Sequence, residues 1–202
     1  MGPRQTWKEM TEPLSLEEHA GEGARPTARP ERASDNWVQL PQNPEPGESG
    51  SGYYTYGKMP PGMEGGKADY QWGEPRTMQV IQSVAGHLAN GPQFTPFGVG
   101  NISLTGGRKG DHQTHMDGLG VDVRPARKDG LTGESATVDY RHPNYDRAAT
   151  RRLLEGFIGS GQTKSILFND PELFNDPVLG RHVKPWMGHD DHFHVQLLPK
   201  QE

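Results

Sequence analysis

Residues 193–197 read Phe-His-Val-Gln-Leu, and residues 120–124 read Gly-Val-Asp-Val-Arg. Each alternates apolar and polar positions with a period of two, the pattern of a β-strand buried on one face only. In the first stretch Phe193, Val195 and Leu197 turn toward a core, leaving His192, His194 and Gln196 on the opposite face. In the second, Val121 and Val123 turn one way, and Gly120, Asp122 and Arg124 the other. The fold must therefore contain strands with one oily face and one face set with ionisable groups. A carboxylate between two valines also needs compensation, because an unpaired buried charge is costly.

Other elements fit around these strands. Residues 74–91 place Met78, Ile81, Val84, Ala85 and Leu88 at helical spacing, and Asn90-Gly91-Pro92 ends the run. Residues 96–104 read as a strand, and Ala136–Tyr140 as a short one. Residues 142–161 read as a helix with Pro143 near its start, an apolar side of Ala149, Leu153 and Phe157, and a Gly-rich end. Residues 164–170 form a buried strand, and 192–198 the last. Strands and helices mix without a regular βαβ alternation, which predicts an α+β fold with a small antiparallel β-sheet core and flanking helices.

Residues 1–69 hold nine of the 18 prolines and ten of the 27 glycines, with scattered charge. They are expected to form a largely disordered N-terminal tail, since little apolar surface is present to offset ordering entropy. The folded domain is then expected over residues 70–202. Formal net charge is −5 and the basic runs are short, so nucleic acid is not an expected partner. No apolar run approaches the roughly 18 residues of a membrane span. Residues 1–20 lack an apolar h-region, so no secretory signal peptide is expected there. The chain has no cysteine, so a metal would be held by His, Asp or Glu alone.

Two clusters carry ligand chemistry. Residues 189–194 read His-Asp-Asp-His-Phe-His, and two imidazoles on one strand face can divide the work, one on a metal and one on a proton. Residues 112–122 place His112 and His115 three apart in a Gly-bounded loop, with Asp122 seven beyond His115. A cation beside Asp122 would compensate its charge. Two imidazoles with one carboxylate suit a catalytic zinc, whose fourth position is left for water. Zinc brings such a water's pKa toward 7 and polarises a carbonyl. Nitrogen donors argue against calcium or magnesium.

Residues 112–123 and 185–197 together resemble the penicillin-insensitive murein endopeptidases, within the wider group named for lysostaphin, D-Ala-D-Ala peptidases and the hedgehog signalling domain. The pattern H-x-x-H-x-x-G-x-x-x-D followed by G-H-D-x-H-x-H is met by His112, His115, Gly118, Asp122, Gly188, His189, Asp190, His192 and His194. The likeness spans roughly residues 70–199. It implies one Zn2+ per chain on His115, Asp122 and His194, with His192 as the catalytic histidine, and His112 and His189 lining the site. It implies a small antiparallel sheet with helices to one side. The implied reaction is hydrolysis of an amide in peptidoglycan peptide stems, of the D-alanyl-diaminopimelyl type, without a serine nucleophile or acyl-enzyme.

The chain departs from that family in having no disulfides and no visible signal peptide. It also reads His115-Met116-Asp117-Gly118 where His-Gln-x-Gly is more usual, so Met116 and Asp117 would alter the rim of the site. Such a substrate implies the periplasm or cell wall. Non-classical export, phage-type release or a preceding portion of chain would each supply a route. Two alternatives accompany the endopeptidase: a D,D- or L,D-carboxypeptidase on the same scaffold, and a zinc-containing binding module without hydrolysis. His192, with His112 and His189 beside it, favours catalysis, because a structural zinc needs ligands but no spare imidazole.

Overall fold

The computed structural model describes residues 36–45, 48, 51–59, 62–91, 96–107 and 115–200. His112 and the first 35 residues of the expected tail lie outside the described residues. The fold is α+β. Strands β1 (Val38–Gln39) and β3 (Trp72–Gly73) make a two-stranded antiparallel ribbon. A six-stranded sheet is built from β2 (Tyr53–Thr55), β4 (Phe97–Val99), β5 (Gly120–Val123), β6 (Thr163–Leu167), β7 (Val183–Lys184) and β8 (Phe193–Leu197). Its order is β2-β4-β5-β8-β6-β7. The four central strands pair antiparallel, but β2 joins β4 and β7 joins β6 in parallel. The sheet is therefore mixed, where a purely antiparallel one was expected.

Helix α1 (Pro75–Ala89) begins with proline at its first position and stops at Asn90, as the spacing and its breakers imply. It buries Met78, Ile81, Val84 and Ala85. Helix α2 (Arg147–Gly159) starts five residues later than expected. The side chain of Asp146 accepts from Ala149 N–H and caps it, while Tyr145 N–H turns back to the His142 carbonyl at 2.9 Å. A short helix, α3 (Pro171–Phe174), follows β6 and is capped by Asp170. Ala136–Tyr140 is not a strand. Ala136 and Val138 are buried, but the backbone bonds of this stretch go to a turn at Gly133, to the Arg127 guanidinium and to the Asp190 carbonyl.

One face of the sheet carries the core. Phe157 of α2 meets Phe97 of β4 and Phe193 of β8 edge-on at 6.1 and 6.2 Å, and Phe168 completes the cluster 5.8 Å from Phe193. Gly156 lets α2 approach α1, since a Cβ there would lie 3.2 Å from Val84. The opposite face, with Gly98, Gly100, Asp122, His194 and Gln196, is left for chemistry.

The expected domain start at residue 70 falls inside the folded body. Trp37, Leu40, Tyr53 and Thr55 are buried, and β2 supplies a strand of the sheet. Leu40 N–H bonds the Gln71 carbonyl at 2.9 Å, and the Tyr53 hydroxyl donates to the Pro41 carbonyl at 2.8 Å. Leu40 and Tyr53 together contribute roughly 3–6 kcal/mol by burial, a large part of the stability of a typical domain. A chain beginning at residue 70 should therefore unfold at much lower urea than one beginning at residue 36. Equal midpoints would show that residues 36–69 add nothing to the fold.

Candidate metal centre

Antiparallel pairing of β5 with β8 sets Asp122 directly opposite His194. Their side chains meet on the face away from the helices: His194 Nδ1 lies 3.0 Å from Asp122 Oδ1. His115 arrives from the loop before β5, with its Nε2 3.1 Å from Asp122 Oδ2. One ligand atom from each of the three lies within 4.8 Å of the others, and all three residues are buried. This buried His115–Asp122–His194 group could hold a metal ion.

The donor set can be tested for fit. His115 Nδ1 lies 2.7 Å from the Ile102 carbonyl. A carbonyl only accepts, so Nδ1 carries the proton and Nε2 faces Asp122. In the neutral ring Nε2 is then a lone pair aimed at a carboxylate, and two acceptors at 3.1 Å require a proton or a cation between them. His194 Nδ1, at 3.0 Å from the other carboxylate oxygen, either donates its own proton or, with the proton on Nε2, faces the same cation. The His115 contact needs one added proton or a cation, and a cation there would be met by donor atoms of all three side chains, so the group fits a metal. Burial acts to raise the Asp122 carboxyl pKa. The charge and hydrogen bond of His115, with the hydrogen bond from His194, outweigh burial and hold it well below the usual carboxylate range.

The ligand loop is fixed by Gly118, whose φ is +70°. Its carbonyl accepts from Glu74 N–H at 3.2 Å and the Thr77 hydroxyl at 2.7 Å, and its N–H donates to the Ser103 hydroxyl at 3.1 Å. A Cβ there would come within 2.8 Å of the Trp37 ring. Both the backbone conformation and the close packing require glycine.

His189 and His192 lie near the group, on the loop before β8. Their rings lie 4.8 Å apart, and His189 lies 6.3 Å from His194. The loop is tied down through Asp190, which accepts from Arg141 at 2.6 Å and from Asn169 at 2.7 Å. Burial, then the neighbouring His192, brings His189 down to about 4, so it is neutral at ordinary pH. His192 shifts the other way. Burial lowers its pKa, but a 2.9 Å bond from Nδ1 to Asp191, with the charges of Asp122 and Asp191, raises it overall. Two adjacent imidazoles are thus set to opposite protonation preferences.

Three residues beside the group were not singled out from the sequence. Asp191 was legible only as the neighbour of His192. Arg124, on the strand of Asp122, donates to the Gly133 and Glu134 carbonyls and lies 3.8 Å over the Tyr56 ring. Tyr56 itself lies across Gly100, where a Cβ would meet its hydroxyl at 2.7 Å. Gly100 N–H bonds the Asp122 carbonyl, so Tyr56 crosses the strand next to the carboxylate. No signal in the sequence brings Tyr56 to that place.

In metal-free protein, Asp191→Asn should lower the His192 pKa, because burial then acts with less opposition. NMR titration of the ring proton reads this, and an unchanged midpoint would contradict the pairing. In wild type, the stability that His192 adds through its raised pKa is full below about 6.5. It is lost as pH rises through the folded value.

No protein-family model matches the chain, and no curated protein matches it.

Proposed function

We propose that this protein is a zinc-dependent peptidoglycan hydrolase that cleaves an amide in cross-linked peptide stems, as a D,D-endopeptidase. The observation that carries the reading is the fourth imidazole. His192 stands beside a group of three ligands without belonging to it, and it has a carboxylate partner of its own. A structural metal needs no such residue, whereas amide hydrolysis needs a group that moves protons. The donor set, two nitrogens and one carboxylate oxygen with no thiolate, favours zinc over calcium or magnesium.

His115 Nε2, Asp122 and His194 Nδ1 would hold the ion. Bound zinc supplies an activated water and a charge that polarises the substrate carbonyl. His192, fixed through Nδ1 to Asp191, keeps Nε2 to carry a proton to the departing amine nitrogen. Its raised pKa favours the protonated form this step requires. His189, neutral, offers a hydrogen bond to substrate without adding a second positive charge. Arg124 holds the Gly133–Glu134 turn against the sheet and keeps Tyr56 across Gly100, bounding the site on the β4 side. No step needs a nucleophilic side chain, so β-lactams, which acylate serine, should not inhibit.

The test pairs zinc per chain, by elemental analysis, with the products of purified peptidoglycan incubated with and without chelator. The expected result is one zinc and a chelator-sensitive loss of cross-linked dimers. His192→Ala should retain zinc and lose about 10²–10⁴-fold in rate. One zinc with an untouched wall would overturn the hydrolase reading in favour of a binding module. Full hydrolysis by His192→Ala would overturn the role given to His192.

A further inference from the structure

The side chains behind the group offer an arrangement that the catalytic reading leaves unused. His194 presents Nδ1 to Asp122, and its other nitrogen, Nε2, lies 3.4 Å from Gln196 Oε1. Gln196 shares the face of β8 with His194, and its Nε2 lies 3.2 Å from Asp117 Oδ2. Across the β5–β8 ladder Gln196 stands opposite Gly120, which has no side chain on that face. The other oxygen of Asp117 is held by Leu119 N–H at 2.9 Å, which fixes the carboxylate. Asp117 is two residues from His115.

We infer that Asp117 and Gln196 form a positioning relay that sets the tautomer of His194 and joins the two ligand-bearing segments into one metal-binding unit. The polarity of the relay follows from its acceptor-only end. A carboxylate can only accept, so the Gln196 amide must turn its NH₂ to Asp117 and its oxygen to His194. That oxygen also only accepts, so His194 Nε2 must carry the proton. Nδ1 is then left as the lone pair facing Asp122 and the ion. A ligand whose ring is fixed in this way binds more tightly than one free to flip or to place its proton on Nδ1. His115 receives the same service from the Ile102 carbonyl, a backbone group that substitution does not remove. His194 depends on side chains, which makes its case testable.

The inference rests on the metal reading but not on any substrate. The test is zinc affinity of the full chain by competition with a chromophoric chelator, together with the Tm of each metal-free protein. Gln196→Leu should weaken zinc by about 10–100-fold. Because Gln196 is only half-buried and Asp117 exposed, the metal-free Tm should shift by no more than about 2 °C. Gln196→Glu still accepts from Nε2 and should remain closer to wild type than Gln196→Leu. Asp117→Ala should weaken zinc by a smaller factor and add nothing in the Gln196→Leu background. Wild-type affinity in Gln196→Leu, or an undiminished Asp117 effect in the double variant, would overturn the relay while leaving the metal centre intact. Wild-type protein that takes up no zinc would overturn the metal reading, and the relay with it.

Discussion

A single buried carboxylate organises this molecule. Asp122 sits in the middle of a central strand, between two valines that face the core, and holds an imidazole on each oxygen. A charge so placed is tolerated only if it is neutralised and hydrogen-bonded. The surrounding fold arranges this. Antiparallel register brings His194 opposite, Gly118 turns the preceding loop so that His115 arrives, and the apolar sides of α1 and α2 pack into the core on the other face. The demand on the fold is also the chemical opportunity, because a cation can take the place of the proton that the His115–Asp122 contact otherwise needs.

The imidazoles around that carboxylate fall into two sets. His115 and His194 have their outer nitrogens occupied by an oxygen acceptor, the Ile102 carbonyl and the Gln196 amide, which turns their inner nitrogens toward Asp122. His189 and His192 have no place in the ligand group, and their pKa values are pushed in opposite directions by burial and by Asp191. In the function proposed above, holding the ion and moving a proton fall to different imidazoles of this short segment.

Much of this was legible in the sequence where a period was sustained. Strands β5 and β8 and helix α1 follow from alternation or helical spacing over four or more residues, and the ligand face of each strand followed with them. Short or irregular elements were hidden. Tyr53 is separated from Trp37 and Leu40 by a stretch of proline, glycine and polar residues, so the three carry no sustained period, yet tertiary packing buries them. The parallel pairing of β2 with β4 leaves no local trace. Ala136–Tyr140 has strand-like residues, but the Arg127 guanidinium takes up one of its carbonyls and the Asp190 loop one of its amides, where a neighbouring strand would otherwise pair. Asp191 stands out in the sequence only as the neighbour of His192, whereas Tyr56 reaches the site through the glycine gap beside β4.

The central claim is that His115, Asp122 and His194 are the ligands of one metal ion. The most direct measurement is a crystal structure of zinc-soaked protein with anomalous data collected on either side of the zinc edge. The expected result is one strong peak among the three side chains, about 2.0–2.1 Å from His115 Nε2 and from His194 Nδ1, with an Asp122 oxygen completing the set. A peak elsewhere, or none between these residues at saturating zinc, would contradict it.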